Sequence, residues 1–412
     1  MKGEMILAEA VIKGSDTCYG VPGYPVTELC RYSHAEYTVN EKTALEYALG
    51  DSLSGLRSVV IVKNAGMNAL CDPLINAATQ GLLGGVVIIA GDDTEVAASQ
   101  NRQDSRYFAE ISESPLIEPD ESNLSSAVES AMQASERFSR VCIIRVASKI
   151  LEACIEDYQF PFRKNGIGNL TPPNLTMKGR CEYADNLTNE MYEWSKTPFI
   201  WPPCKDLVKL NSPCKTTERA FSGRDFLSEH HTACPPKITK DPESCEKRKF
   251  SRTLCKDCPF KTLFEIITDS GEMAVIDTGC SLLAKNPPYG FGLANYGLGS
   301  SPAVAAKSTK IALIGDYAVL HSAINALFDI YDKEISLLCI VINNKKMAMT
   351  GRQSIPDITR WLKPFCPEVT DADDPALKNI VSSAIEEKKD CFKIIVVNGI
   401  CPKGCEHEKI KC

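Results

Sequence analysis

Residues 315 to 344 of the chain read GDYAVLHSAINALFDIYDKEISLLCIVINN, and this stretch decides the fold. An apolar run, 311–314, precedes it, and a second apolar run, 337–342, lies near its end. The segment between the two runs has the spacing of an amphipathic helix. The pattern predicts a strand, a helix and a second strand of an α/β protein, with Gly-Asp closing the first strand and Asn-Asn closing the second.

The composition of the chain limits its class. It has 412 residues, 44% hydrophobic and 24% charged, with a formal net charge of -7. This charge gives no basic surface for nucleic acid, and no run approaches the 18 or so apolar residues of a membrane span. The start of the chain has no signal-peptide pattern. We expect a soluble, cytoplasmic protein that binds neither nucleic acid nor membrane.

Three regions are expected along the chain. Residues 1–160 and 250–412 both alternate helical patterns with short runs that are apolar on both faces, which is typical of buried parallel strands. Residues 161–249 are rich in proline and charge, and we interpret them as an irregular linker or insert. The cysteines there, at 204, 214, 234 and 245, have no compact ligand spacing. The expected architecture is two α/β domains, each a mostly parallel sheet flanked by helices.

Asp316 and Asn344 stand at the ends of the two strands predicted from the opening stretch. Because the carboxyl ends of neighbouring parallel strands lie on one edge of a sheet, the fold can bring these side chains together. A carboxylate and an amide oxygen suit Mg²⁺, which takes its other ligands from backbone, water and phosphate. Alternatively, Gly-Asp is a helix cap and Asn-Asn a turn.

Glu41 lies just inside a helical pattern in the first half of the chain. An acid in a first helical turn ordinarily interacts with the helix dipole. The Gly-Asp…Asn spacing at Asp316 and Asn344 resembles the signature of thiamine diphosphate (TPP) enzymes. The aminopyrimidine of TPP needs a carboxyl group that hydrogen-bonds the ring, and this is the second role open to Glu41. The residue alone does not distinguish the two roles.

Seven motifs in order give the chain a family resemblance. Together they resemble the α subunit of indolepyruvate:ferredoxin oxidoreductase, an archaeal and anaerobic 2-oxoacid oxidoreductase that uses TPP. The likeness covers roughly residues 17–150 and 250–401. The motifs are GVPGYPVTEL (20–29), VNEKTALEYALG (39–50), KNAGMNALCDPL (63–74), SQNRQDSRYFAE (99–110), LCKDCPFKTL (254–263), DTGCSLLA (277–284) and GDYAVLHSAIN…VINNKKMAMTG (315–351).

The resemblance implies two TPP-binding modules, one for the pyrimidine and one for the diphosphate. It assigns Glu41 to activation of the aminopyrimidine. It assigns the Mg²⁺ and diphosphate site to the Gly315–Asp316 pair, the second asparagine, Asn344, and the backbone carbonyl of Lys346. It also puts Gly66, Asn68 and the segment from Gln100 to Arg106 near the cofactor or substrate. His321 either faces the reacting carbon or is an ordinary helix histidine.

Nineteen cysteines without a secretory signal favour metal binding over a disulfide framework. Cys255 and Cys258 form a pair at a spacing common to zinc and iron–sulfur sites. Cys280 and Cys401 each end a strand-like run. The resemblance implies that these four cysteines hold one [4Fe–4S] cluster near the thiazolium. The competing interpretation is a structural zinc site or a set of thiols.

The function implied by the resemblance is oxidative decarboxylation of a 2-oxoacid of the aryl pyruvate type, with CoA as the acyl acceptor. Electrons would pass through the cluster to a ferredoxin-like partner, and a separate β-type subunit would complete a dimer or hetero-oligomer. The alternatives are a non-oxidative TPP-dependent decarboxylase or carboligase, and a subunit of a larger redox complex. By this resemblance we expect a short form of the family, without its middle domain and its C-terminal ferredoxin domain. The GYPVTEL loop also departs from the family, so the substrate side of the pocket is expected to differ.

Overall fold

The computed structural model describes residues 1–93, 96–101, 103–194, 200–201, 241–402 and 406–412. These residues form two compact units. The first comprises 1–171 and 177–242, and the second comprises 172–176 and 243–412. We describe each unit by itself.

The first unit is built on a sheet that has seven strands among the described residues, in the order β2-β1-β3-β4-β6-β5-β7. All neighbours are parallel except β5 and β7. The strands are β1 (Thr17–Gly20), β2 (Glu36–Tyr37), β3 (Ser58–Lys63), β4 (Val86–Asp92), β5 (Leu116–Ile117), β6 (Cys142–Ala147) and β7 (Ile200–Trp201).

Helices cover this sheet, and the central strands are apolar on both faces because both are buried. Val59 and Ile61 of β3 belong to the same core as Ile6 and Val128, which come from two of the helices. The helices are Gly3–Gly14, Thr27–Tyr32, Glu41–Leu53, Gly66–Ala69, Cys71–Gln80, Arg106–Ile111, Ala127–Phe138, Ser148–Glu152 and Met177–Trp194, with a 3₁₀ turn at Leu124–Ser126.

The second unit has a sheet of five parallel strands within the described range, in the order β12-β13-β11-β10-β9. The opening stretch folds as predicted, because β10 and β11 are parallel neighbours joined by helical segments, with Gly315 opposite Ile342. The strands of this unit are β8 (Phe250–Cys255), β9 (Val275–Ile276), β10 (Ile311–Gly315), β11 (Leu337–Asn343), β12 (Glu368–Asp371), β13 (Phe392–Asn398) and β14 (His407–Lys411).

Helices of the second unit pack on its sheet through apolar faces. Leu263, Phe264 and Ile267 of one helix join the core formed by Ile340 and Ile395. The α-helices are Cys245–Arg248, Lys261–Asp269, Ser301–Ala306, Asp316–Ala318, Ile324–Asp332, Thr359–Leu362 and Leu377–Glu386; 3₁₀ turns occur at Cys280–Lys285 and Lys363–Phe365, and a π turn at Val319–Ala323.

A two-stranded antiparallel ribbon, β8 with β14, is separate from the sheet of the second unit. His407 at the start of β14 is opposite Cys255 at the end of β8. A disulfide joins Cys245, just before β8, to Cys412, just after β14, with Cα atoms 6.0 Å apart. The sequence analysis did not anticipate this disulfide, because 167 positions separate the two cysteines.

The segment expected to be an irregular linker needs a correction. Residues Met177–Trp194 form an 18-residue α-helix, and Ile200–Trp201 pairs with β5 at the edge of the first sheet. Cys204, Cys214 and Cys234 lie outside the described residues. No helix in the described part of the chain is long and apolar enough to cross a membrane.

Candidate active site

Asp316 follows β10 directly, and its side chain is buried at 3% exposure. Its Oδ1 accepts a hydrogen bond from the backbone N–H of Tyr317 at 2.8 Å. Its Oδ2 accepts one from the N–H of Lys345 at 2.7 Å. Burial raises the pKa of Asp316 to about 6, and the backbone N–H groups act against that rise. The carboxylate therefore holds the loop after β11 through Lys345, and a cation beside it would favour its ionised form.

Asn344 lies in that loop, one residue after β11. Its Oδ1 accepts a hydrogen bond from the N–H of Lys346 at 3.0 Å, and its Nδ2 donates to Sγ of Cys401 at 3.3 Å. Because β10 and β11 are neighbours, Asp316 and Asn344 lie at one edge of the sheet, as the strand-end argument predicts.

A cavity of about 190 Å³ lies at this edge and is lined by Asp316, Asn344 and Lys346 among others. Two glycines also line it, Gly315 and Gly279, and a Cβ placed on either one would meet no atom within 4 Å. Gly279 has a φ of 127°, which only glycine adopts without strain. The backbone on this side of the cavity is thus open to a ligand.

The residues of this cavity fit Mg²⁺ and a diphosphate. Asp316 and Asn344 offer the hard oxygen donors that Mg²⁺ prefers, and the two glycines leave room for phosphate oxygens beside the backbone. The carbonyl oxygen of Lys346 accepts a hydrogen bond from Ala348 N–H at 2.9 Å and retains a second lone pair. Its assignment as a third ligand stays a prediction.

Asp277 is a residue of this region that the sequence analysis missed. It is fully buried after β9, and its Oδ1 accepts hydrogen bonds from the N–H groups of Thr278 at 2.9 Å and Gly299 at 2.8 Å. Its Oδ2 accepts one from Ser301 N–H at 3.2 Å. Burial raises the pKa of Asp277 to about 6. The side chain links the residue before Gly279 to the segment 299–301. A carboxylate at a strand end is the sequence pattern that could have identified this residue.

A second cavity, of about 440 Å³, contains all four of the cysteines assigned to a cluster: Cys255, Cys258, Cys280 and Cys401. They reach it from different elements, namely the end of β8, the turn after it, the 3₁₀ turn after β9 and the segment after β13. Asn344 lines this cavity as well as the first. The sequence signal of two cysteines at strand ends and one close pair therefore corresponds to a single place in the fold.

The four cysteines do not converge on one point. Among the described residues, no three cysteine, histidine, aspartate or glutamate side chains form a group that could hold a single metal ion. A [4Fe–4S] cluster attaches each of its four cysteines to a different iron, so a shared cavity is the relevant criterion. The donor type and the shared cavity are compatible with a cluster, and the assignment of the four cysteines stays a prediction.

His407 is a further member of this cavity that sequence reasoning missed. It enters from β14, and its Nε2 lies 3.9 Å from Sγ of Cys280. Burial, with a smaller contribution from the charge of Arg252, lowers the pKa of His407. No local motif points to this residue, because its position depends on pairing between β8 and β14.

In the first unit, Glu41 begins the helix Glu41–Leu53, whose N-cap Asn40 accepts a hydrogen bond from Thr43 N–H at 2.8 Å. A Cβ on Gly66 would lie 2.7 Å from both Cγ and Oε1 of Glu41. The structure therefore brings together two residues that the resemblance assigned to one site. Within the described residues, no hydrogen bond or ion pair of the Glu41 carboxylate is present.

Other predicted residues of the first unit are held by their neighbours. Asn68 exchanges two hydrogen bonds with Gln103, at 3.1 and 2.9 Å, and Gln100 accepts one from Lys63 at 2.7 Å. Arg106 is buried and forms an ion pair with Asp104 at 2.6 Å. These contacts are structural, and a role near the cofactor stays a prediction. Arg102 lies outside the described residues.

His321 lies in the π turn Val319–Ala323 and is exposed. Its ring centroid is 5.6 Å from that of Tyr317. Tyr317, rather than His321, lines the smaller cavity. This position favours the interpretation of His321 as an ordinary helix histidine, and its catalytic role stays a prediction.

Comparisons with known proteins agree with this geometry. Residues 276–384, which contain both Asp316 and Asn344, match the family described as thiamine pyrophosphate enzyme, C-terminal TPP binding domain. Indolepyruvate oxidoreductase subunit IorA of Archaeoglobus fulgidus is 33% identical over 166 residues. The same subunit of Methanothermobacter marburgensis is 28% identical, over 86% of this chain and 76% of that protein.

The chain is similar in sequence to these IorA subunits. This confirms the resemblance inferred from the ordered motifs. The match to the Archaeoglobus IorA covers 36% of this chain and 26% of that protein, so the chain spans about a quarter of that relative's length. A solved structure of a thiamine diphosphate-dependent 4-hydroxybenzoylformate decarboxylase from Rhodococcus jostii RHA1 has a TM-score of 0.60 over 98% of this chain and 100% of that chain. At 13% identity this likeness concerns the fold, and it confirms the α/β class.

Proposed function

We propose that this chain carries out TPP-dependent oxidative decarboxylation of a 2-oxoacid of the aryl pyruvate type, with electrons leaving through a proximal [4Fe–4S] cluster. The observation that carries the proposal is the position of Asn344. This residue lines both the cavity that contains Asp316 and the cavity that contains the four cysteines. The cavity that contains Asp316 and the cavity lined by the four cysteines thus share a wall within one unit of the chain.

Asp316 and Asn344 would hold Mg²⁺, and the ion would bind the diphosphate of TPP. TPP supplies stabilisation of a carbanion at the substrate's keto carbon. The role of the chain at this site would be to position Mg²⁺ and the diphosphate and to balance their charges. Asp316 is already fixed by the N–H groups of Tyr317 and Lys345, so a cation would meet a carboxylate that needs no further ordering.

Glu41 would hydrogen-bond the aminopyrimidine and carry the proton that this ring exchanges. Its position in the first helical turn fixes the backbone, and the missing side chain at Gly66 leaves space for the carboxyl group. A positioned carboxyl group of this kind typically contributes about 10²- to 10⁴-fold to the rate.

Cys255, Cys258, Cys280 and Cys401 would hold the cluster, which supplies acceptance of electrons one at a time. Cys255 is only 8% exposed. The apolar side chains of Phe260 and Phe264 line the same cavity and limit the access of water to it. A cluster held by these cysteines beside the cofactor would accept the electrons of the reaction. This electron acceptor distinguishes an oxidative enzyme from a simple decarboxylase.

The relatives are named as subunits of an oxidoreductase, which supports further subunits in the assembly. We assign to the chain a ferredoxin-like electron acceptor, CoA as acyl acceptor and a separate β-type subunit, in a cytoplasmic dimer or hetero-oligomer. The name of the IorA relatives supports indolepyruvate or a similar aryl 2-oxoacid as the substrate.

An anaerobic assay tests the proposal. The purified chain, with its partner subunit where required, is incubated with TPP, Mg²⁺, CoA and an aryl 2-oxoacid, and reduction of a viologen dye is followed. We expect dye reduction that depends on the 2-oxoacid. Stoichiometric aldehyde formed without an electron acceptor would contradict the proposal and favour the non-oxidative alternative.

A further inference from the structure

Asn344 lines both cavities, and its side-chain Nδ2 donates a hydrogen bond to Sγ of Cys401 at 3.3 Å. The cavity lined by Asp316, Asn344 and Lys346 is called the diphosphate cavity below. We propose that Asn344 is a positioning residue that transmits the charge of a cation in the diphosphate cavity to the cluster. The inference rests on the proposed function and adds a regulatory link between its two centres.

The orientation of the amide is determined by its neighbours. The N–H of Lys346 donates to Oδ1 at 3.0 Å, so an exchange of the amide oxygen and nitrogen would bring two donors together. The backbone around Asn344 is also fixed, because Lys345 N–H donates to Asp316 Oδ2 at 2.7 Å. Lys345 has a φ of 58°, a left-handed conformation that non-glycine residues rarely adopt. These contacts hold the loop in a conformation in which Nδ2 donates to the sulfur.

A hydrogen bond to a cysteine ligand changes the reduction potential of a cluster. The reduced cluster carries one more negative charge than the oxidised cluster, so a donor on Cys401 stabilises the reduced form more and raises the potential. A cation on Oδ1 withdraws electron density from the amide and strengthens its N–H donor, since linked hydrogen-bonding groups polarise one another. Mg²⁺ in the diphosphate cavity therefore favours reduction of the cluster.

The link is reciprocal. If Mg²⁺ raises the reduction equilibrium constant by a given factor, reduction of the cluster raises Mg²⁺ affinity by the same factor. Other titratable groups line the cavity of the four cysteines, namely Arg252, Glu406, His407 and Lys409, and they act on the cluster whether or not Mg²⁺ is present. His407 is another polar group near a cysteine sulfur, with Nε2 3.9 Å from Sγ of Cys280, and it does not line the diphosphate cavity.

Two variants distinguish transmission through Asn344 from a direct electrostatic effect of Mg²⁺ on the cluster. Asn344→Asp keeps an oxygen for Mg²⁺ but removes the N–H donor to Cys401. His407→Gln changes a group beside Cys280 and leaves Asn344 intact. The anaerobic cluster-loaded chain is titrated with dithionite and followed by EPR, once with Mg²⁺ and TPP and once with the divalent ion removed by a chelator.

We expect the ratio of reduced to oxidised cluster at a fixed potential to rise about tenfold with Mg²⁺ in the wild type, which is about 59 mV for one electron. His407→Gln should retain this shift, and Asn344→Asp should lose it while still binding Mg²⁺ by calorimetry. An equal shift in Asn344→Asp, or no shift in the wild type, would overturn the inference. Absence of iron from the wild type would instead contradict the proposed function.

Discussion

Gly66 lies against Glu41 so closely that a Cβ at Gly66 would be 2.7 Å from Oε1 of the carboxyl group. Since ordinary contacts are longer, Gly66→Ala must displace Glu41 or shift the short helix Gly66–Ala69. We expect turnover of the 2-oxoacid to fall at least tenfold with the circular dichroism spectrum retained. Gly14→Ala is the matched control. Its Cβ would lie 3.0 Å from a side-chain atom of Val128 and would meet no atom of Glu41 within 4 Å. Equal turnover in both variants would contradict the assignment.

Glu41→Gln tests the proton-transfer role of Glu41 without changing the volume of the side chain. The amide keeps the shape of the side chain but cannot accept or release the proton, so turnover should fall by about 10²-fold or more. TPP affinity, measured by calorimetry, should change little. If the variant turned over substrate at the wild-type rate, Glu41 would have no part in activating the aminopyrimidine.

Asp316→Ala removes the carboxylate that faces the diphosphate cavity. Mg²⁺-dependent binding of TPP should be abolished, because one oxygen ligand and its charge are lost. Asp329→Asn provides a control on the following helix, where Asp329 forms an ion pair with Lys333 at 3.0 Å. Calorimetry should detect TPP binding to the control with wild-type affinity. Binding to Asp316→Ala that still required Mg²⁺ would show that the ion lies elsewhere.

Burial holds the pKa of Asp316 at about 6, above the ordinary value of 3.8. Its unfolded form ionises first as the pH rises, so the metal-free protein loses stability between about pH 4 and pH 6. The loss from this group is about 1 to 3 kcal/mol. Asp316→Asn should flatten that part of the stability curve, measured by urea unfolding with chelator present. Parallel curves for the two proteins would mean that the carboxylate is not desolvated.

Serine substitutions test the cluster ligands one by one. Changing Cys255, Cys280 or Cys401 to serine should reduce the iron bound per chain and remove the reduced-cluster signal, because a thiolate ligand is lost. Cys391→Ser changes an exposed cysteine at the start of β13 and should retain full iron content. Iron lost equally from the control would indicate non-specific binding to thiols.

The strand-end rule explains why part of the site could be predicted. Asp316 and Asn344 are separated by a helix in sequence, yet parallel pairing of β10 with β11 places them at one edge. The same rule applied to Asp277 would have identified that residue. It stands at the end of MAVID, but its buried hydrogen bonds to Gly299 and Ser301 depend on a loop that has no periodicity.

His407 and the Cys245–Cys412 disulfide could not be predicted from local patterns. Both depend on pairing between β8 and β14, whose residues are far apart in sequence. A short charged segment such as HEKIK has no strand signal of its own until a partner strand satisfies its backbone. The helix Met177–Trp194 was missed for a related reason: weak periodicity next to proline-rich sequence favoured an irregular interpretation.

We propose that one unit of this chain holds a [4Fe–4S] cluster beside a TPP diphosphate site. The decisive measurement is iron and sulfide analysis of anaerobically purified protein, with EPR after dithionite reduction. We expect about four irons per chain and a reduced-cluster signal. A chain with no iron, or with one zinc in place of the cluster, would contradict it.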